Sequence, residues 1–412
     1  MPVIKVNIKA RAPLLISERR PDGQFRPSSS YIPGAVWRGA LAQQMLNEGE
    51  PTNGDSDFAV LFTKDSAPQF RNAFPASVKR TENGEQFEVA LPLPATAFSC
   101  KAESGFKAQG KHGVYDGLID RLCCEELGIK APYLPCCDDP SHETQGERVE
   151  AYGGFHLGEK SLATPLHLTT RVAINRRRKV AEPNLLYSPL VISESSPDRA
   201  PTAFSASLVF EEKDRGIVES RLNQLTHVGS GSARGFGRVD VTTEPIATDD
   251  LSNRLAAFNQ WVSRRWRLWA QAECDRTPQH TPDNGAFFAV LLLADAVLRL
   301  DGWTPTVRLE PRMLGAGLED TTLLRCYATA EYRGGWNTAW GLPKDTDLAA
   351  RMSSVYVYHA PRRADDESLA NALRDLEVRG VGDRSKEGFG QVRVCDEFHI
   401  QIQRSNAGGE TL

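Results

Sequence analysis

The sequence predicts an α+β protein built from two copies of one domain, and three observations predict it. The first is a glycine-rich loop running into a short strand, HVGSGSARGFGRVDV over His227–Val241. The second is the return of that loop as EVRGVGDRSKEGFGQVRV over Glu377–Val394, where GFG again opens a strand. The third is the order of what stands upstream. SASLVF (Ser205–Phe210), a polar turn and a helix carrying Ile217, Leu222 and Leu225 precede the first loop. SSVYVY (Ser353–Tyr358), a polar turn and a helix carrying Leu369, Leu373 and Leu376 precede the second. A repeat this long is a duplicated domain and not a solenoid array. The expected boundaries are a first domain over 1–245 with an insertion at about 91–165, a bridging helix over 246–282, a second domain over 283–402 and a polar tail over 403–412.

The loops also carry the expected chemistry. Gly229, Gly231, Gly235 and Gly237 let other atoms approach the backbone closely. Ser230 and Ser232 add short hydrogen-bond donors, and Arg234 and Arg238 add fixed positive charge. Main-chain N–H groups in such a loop can cradle phosphates while arginines hold them as bidentate partners. In the second loop Gly380, Gly382, Gly388 and Gly390 alternate with Arg384 and Lys386.

Taken in order, the chain opens with Ile4, Val6, Ile8 and Ala10 alternating with Lys5, Asn7 and Lys9, the pattern of a half-buried strand. YIPGAVWRGA (Tyr31–Ala40) then starts a helix on which Trp37, Leu41 and Met45 share one face. Pro33 and Gly34 make its tight beginning, where free N–H groups suit an anion that Arg38 could also reach. Residues 48–95 read as irregular, closing with the rigid extended LPLPAT. Next, Cys100, Cys123–Cys124 and Cys136–Cys137 fall close to His112, His142 and His156. Thiols and imidazoles together suit tetrahedral Zn²⁺, with Cys100, Cys124, Cys136 and Cys137 as candidate ligands. The competing reading is buried thiols acting as small hydrophobes.

TTRVAINRRRKVAEPNLLY (Thr169–Tyr187) reads as a long hairpin, with Arg171 near its base and Arg176, Arg177, Arg178 and Lys179 at its tip. Such a finger could bind a nucleic-acid backbone, although a solvated loop is the commoner fate of a charge run. Leu251–Glu273 is an amphipathic helix with Leu255, Phe258, Val262, Trp266 and Trp269 at spacings of three and four. In the second copy Phe287–Leu293 and Thr321–Tyr332 read as strands.

At 412 residues there is ample chain for two or three domains, and 40% hydrophobic with 25% charged residues is ordinary for a globular protein. A net charge of −4 excludes a generic basic nucleic-acid coat, so any such contact must be a local patch. The longest apolar run, Ala286–Val297, is interrupted by Asp295, which predicts no membrane span. Eight cysteines and no export signal predict a reducing cytoplasm.

These residues resemble a known group. IPGAVWRGAL (Ile32–Leu41), followed far downstream by GSGSARGFGRV (Gly229–Val239), is similar to the RAMP superfamily, the repeat-associated subunits of CRISPR interference complexes. LPATAFSCKAESGF (Leu93–Phe106), HGVYDGLIDRL (His112–Leu122) and YRGGWNTAWGLP (Tyr332–Pro343) look like the handle-binding RAMP protein of type III-D systems. The resemblance implies tandem ferredoxin-like (RRM-like) domains, each βαββαβ with a glycine-rich loop near its end. It implies a ribonucleoprotein holding a guide RNA, RAMP backbone subunits and a large polymerase-nuclease subunit, with target RNA met indirectly. Gly229–Arg238 and Gly380–Gly390 would contact RNA at the five-prime handle, Arg38 would lie below the guide, and Arg176–Lys179 would form a protruding thumb. Relatives carry a separated cysteine pair where this chain has Cys136 and Cys137 adjacent.

The mechanism expected is binding without turnover, with bases stacking on Phe236, Phe389 or Tyr31. One rival is an endoribonuclease using His112, Asp116 or His227, which would need reach to the attacked hydroxyl. Another is a scaffold whose basic residues face acidic neighbouring proteins.

Overall fold

The computed structural model describes residues 2–17, 25–26, 28–82, 84–129, 133, 135–137, 139–142, 146–175, 177–246, 250–272, 277–337 and 341–401. The 403–412 tail and Arg176 lie outside the described residues.

Strand β1 (Val3–Ala10) sends Ile4, Val6 and Ile8 into the core, as its alternation requires. Helix α1 (Gly34–Asn47) buries Trp37, Leu41 and Met45, one residue per turn on one face. Strands β2 (Phe74–Thr81) and β3 (Gly84–Val89) form a hairpin inside the stretch read as irregular. Alternation does not mark β2 in the sequence, because its burial runs from an apolar start to an exposed end and Pro75 sits in it.

The insertion adds β4 (Ala97–Cys100), β5 (Val114–Asp116), helix α2 (Leu118–Leu127), β6 (Cys136–Cys137) and β7 (Glu147–Ala151), in a sheet ordered β5-β4-β7-β6. After it come the long hairpin β8 (Arg171–Asn175) and β9 (Val180–Ile192). Strand β10 (Ala203–Val209), helix α3 (Arg215–Asn223) and β11 (Val239–Pro245) complete the first unit. Its sheet runs β11-β1-β10-β2-β3 with antiparallel neighbours, for example Ile8 opposite both Phe204 and Val241. Numbering the four core strands by sequence gives the order 4-1-3-2 with one helix in each crossover, the ferredoxin-like arrangement.

Helix α4 (Leu251–Trp269) leads to β12 (Ala286–Leu292), β13 (Thr322–Tyr327), β14 (Ala330–Arg333), β15 (Asp347–Ala350), β16 (Val355–Ala360), helix α5 (Glu367–Arg379), β17 (Val392–Val394) and the short helix α6 (Phe398–Gln401). The second sheet, β13-β16-β12-β17, is again 4-1-3-2, so the fold is two ferredoxin-like domains in tandem. A loop with one 3₁₀ turn (Pro311–Met313) stands where the second domain's first helix would be.

Every residue of β12 is buried, because both faces of this sheet are covered. On one face the Tyr356 and Tyr358 hydroxyls donate to the Val307 and Leu309 carbonyls at 2.6 and 2.5 Å. On the other, α4 reaches Phe287 through Asn259 and packs Trp266 against its ring. α4 also holds the insertion, with Arg265 and Trp269 donating to Asp120 of α2 at 2.5 and 2.8 Å. With both faces covered, this sheet offers no open surface.

Among the described residues no helix is long and apolar enough to cross a membrane.

Candidate nucleic-acid interface

The hairpin and the first glycine loop form one surface. The loop is pinned from below: Ser230 N–H donates to the Leu15 carbonyl at 3.0 Å and Gly237 N–H to that of Pro13 at 2.9 Å. Gly231 (φ 82°) and Gly235 (φ 81°) bracket a single 3₁₀ turn, Ser232–Arg234, in the left-handed conformation that glycine favours. Arg171, at the hairpin base, donates to the Arg234 carbonyl at 2.7 Å and lies 4.2 Å over the Phe236 ring. Arg234 in turn lies 5.7 Å from the Tyr187 ring of β9. Many loop amides are satisfied internally, Arg234 by Gly231, Gly235 by Ser232 and Phe236 by Gly231. The groups left to meet an anion are therefore mainly side chains. Phe236 is buried with Leu15 and Val191, so no base can stack on it; its ring is the platform for Arg171.

At the tip, Asn175 Oδ1 accepts from the Arg177 and Arg178 amides at 3.1 and 3.0 Å, and Lys179 takes a left-handed φ of 58° to close the turn. Arg177, Arg178 and Lys179 are exposed. Among the described residues, none of Arg171, Arg177, Arg178, Lys179, Arg234 and Arg238 has an acidic partner. Val172, Ile174 and Leu186 are also exposed on one face of this hairpin, giving it an apolar side beneath the basic tip.

The second loop sits in a different setting. Its Arg384 pairs with Glu387 at 3.0 Å and Asp347 at 3.1 Å, and it covers Phe389 at 4.4 Å. Lys344 also pairs with Glu387. Burial by itself would raise the Glu387 carboxyl, but Arg384 and Lys344 overcome it and hold it at about 2. Lys386 donates to the Lys64 carbonyl at 3.2 Å. The loop docks on the start of α1: a Cβ on Gly34 would stand 1.8 Å from the Phe70 carbonyl oxygen and 2.9 Å from Gly388 Cα. Gly34 N–H donates to Asn72 Oδ1 at 2.9 Å, so that amide is already used. Arg38 donates to the Phe62 carbonyl at 2.9 Å, and burial lowers its pKa. Tyr31 is buried against Phe74 and Phe155. Beside this dock lies a cleft of about 400 Å³ lined by Tyr31, Asn72, Tyr332, Arg333, Arg384 and Phe389, among others. Its three cations, Arg333, Lys344 and Arg384, all have acidic partners, so it offers a phosphate little uncompensated charge.

One contact the sequence did not announce joins the two domains, and a second ties α4 to α5. Arg71, partly buried, donates to the Glu377 and Val378 carbonyls at 2.6 and 2.7 Å, and desolvation pulls its guanidinium down to about 10. Those carbonyls belong to the last turn of α5, where a cation meets the negative end of the helix dipole. Arg254 reaches Glu377 from α4 at 2.9 Å.

In the insertion, Cys100, His112, Cys137 and His142 bring their donor atoms within 4.8 Å of one another, a set that could hold a metal ion. Two of the expected ligands are displaced. Cys124 lies on α2, its thiol pushed up to about 12 by burial, and is outside the cluster. Cys136 is the neighbour of Cys137 on β6, and adjacent strand residues face opposite ways, so only one of the pair can reach the site.

The three catalytic candidates do not meet. His112 belongs to the Cys–His cluster, and His227 is exposed beside the first loop with its Nδ1 3.0 Å from Thr226 Oγ1. Asp116 is buried, accepting from Thr96 Oγ1 at 2.6 Å and facing His399 Nδ1 at 3.0 Å. Burial opposes charge on His399, but the adjacent Asp116 carboxylate and then Asp396 raise its pKa above the ordinary value. A raised histidine pKa contributes stability below the unfolded value, about 6.5, that is lost as pH rises through the folded one. The melting-temperature gap between wild type and His399→Gln is therefore expected to be widest below about pH 6.5 and to narrow as the pH rises above it. A gap independent of pH would contradict the charged pair.

No family model matches the sequence, and no curated protein matches it. Among solved structures, 86% of this chain is similar to 86% of a chain from the type III-B Cmr-beta complex bound to cognate target RNA and AMPPnP, at 10% identity and a TM-score of 0.40. A chain of type III-B Cmr-beta bound to cognate target RNA gives the same coverage of both chains at 11% identity and a TM-score of 0.37. A Cas6 product complex is similar over 47% of this chain and 77% of its own, at 16% identity and a TM-score of 0.27. Scores this low describe partial superposition.

Proposed function

We propose that this chain is a non-catalytic RNA-binding RAMP subunit of a type III CRISPR ribonucleoprotein, of the III-D kind, gripping the five-prime handle of the guide. The observation that carries this reading is the patch of unpaired cations where the β8–β9 hairpin meets the first glycine loop. Phosphate contacts of this kind fix the register of a strand without reading its bases. The motif order from Ile32 to Pro343, on a tandem ferredoxin-like frame, supports the family. The hairpin's exposed apolar side suits a neighbouring RAMP subunit, and the large polymerase-nuclease subunit completes the assembly. Target RNA meets the chain through the guide. The Cys–His cluster lies apart from this reading, as a structural Zn²⁺ site.

The test is binding of a fluorescent single-stranded RNA carrying a repeat-derived handle, measured across a salt series. Affinity should fall log-linearly with salt, and a protein that stays free of RNA at low salt would end the reading. The same RNA incubated with and without divalent metal should remain intact. Cleavage that disappears in His227→Ala would replace the non-catalytic reading with an endoribonuclease.

A further inference from the structure

We infer that Cys100, His112, Cys137 and His142 bind one Zn²⁺ in a closed tetrahedral site that staples the insertion together. The spacing of the donors decides this. Zinc bonds of about 2.3 Å to sulfur and about 2.05 Å to nitrogen give tetrahedral edges of about 3.3 Å between nitrogens and about 3.5 Å between nitrogen and sulfur. Here His112 Nδ1 is 3.1 Å from His142 Nε2, and His142 Nε2 is 3.4 Å from Cys100 Sγ. Those separations match the edges of a zinc tetrahedron, and the four donor atoms lie close enough together for one cation to draw on all of them.

A second observation concerns the far side of His112. Its Nε2 faces Ser141 Oγ at 3.1 Å, and that hydroxyl donates to Asp139 Oδ1 at 2.7 Å. Loading the outer nitrogen with a hydrogen-bond partner leaves the Nδ1 lone pair directed into the cluster, the arrangement that ligating histidines use. Tyr115 braces the site from β5, its hydroxyl donating to the His112 carbonyl at 2.8 Å and lying 3.7 Å from Cys137 Sγ. Four protein donors leave no open position, so the ion orders the chain and does not activate water.

The site ties β4, the loop before β5, and β6 with the turn after it. Those segments contribute little apolar packing of their own: the nearby core cluster comprises Leu93, Ala97, Phe106, Val114 and Phe398. A metal supplies the missing stability in a small unit of that kind.

The experiment uses the full-length chain. Metal analysis of protein purified without added zinc should find about one Zn²⁺ per chain. Replacement by Co²⁺ should give the intense visible bands of a tetrahedral site with two thiolate ligands. Cys137→Ala and His142→Ala should each lose the metal, while Cys136→Ala and Cys124→Ala retain it. A folded wild-type chain with no zinc and no cobalt spectrum would overturn the inference, as would loss of the ion in Cys136→Ala but not Cys137→Ala. Cobalt titration of the wild-type chain keeps the test valid if the variants fail to fold. Neither result depends on RNA binding, so the metal site and the RNA patch stand or fall separately.

Discussion

Replacing Arg177, Arg178 and Lys179 together with alanine is expected to weaken single-stranded RNA binding about 50-fold at about 0.15 M salt. Each neutralised phosphate contributes about 0.7 to the slope of log K against log salt, so three lost contacts should flatten that slope by about 2. The fold should be untouched, because the three side chains are exposed and the turn is closed by Asn175, which stays. The same substitution at Arg384 should change affinity far less. Arg384 is held by Glu387 and Asp347, so it brings little free charge to a phosphate. Anisotropy titrations at several salt concentrations measure both effects. An unchanged slope in the triple variant would clear the hairpin of a role in phosphate contact.

Arg71→Met is expected to destabilise the chain by roughly 3–5 kcal/mol, the largest stability loss for any single side chain discussed above. Charge-assisted hydrogen bonds are worth about 1.5–3 kcal/mol each, and Arg71 donates two to the end of α5. Removing it leaves those carbonyls buried at the interface with the negative end of a helix. Calorimetry should show the melting temperature falling by roughly 5–10 °C. Gly34→Ala should act at the same joint by collision, because its Cβ would meet the Phe70 carbonyl and the backbone of Gly388. In a packed interior such overlap costs about 1–3 kcal/mol or more. A melting temperature unmoved in both variants would mean that the second loop does not dock on α1.

The duplicated fold was legible because two glycine loops follow the same strand–helix pattern, and periodic apolar residues locate α1, α3, α4 and α5. Strand β2 was not, since its exposed half carries Lys79, Arg80 and Thr81 where alternation would be sought. The hairpin could be read because its cations are consecutive. The different fate of the second loop could not, because Asp347 and Lys344 reach it from a separate hairpin and Asn72 from the other domain. Phe236 and Phe389 look alike in sequence, and only packing shows that an arginine covers each. For the metal cluster a usable signal existed: strand parity lets only one of Cys136 and Cys137 face inward, and Cys137 stands five residues before His142.

The most direct measurement is photocrosslinking of the purified chain to a handle RNA carrying photoreactive bases, with the attached peptides identified by mass spectrometry. Crosslinks should concentrate in His227–Arg238 and in the β8–β9 hairpin around Tyr187. Crosslinks confined to the second loop and its cleft, with none on the first loop or the hairpin, would contradict the account.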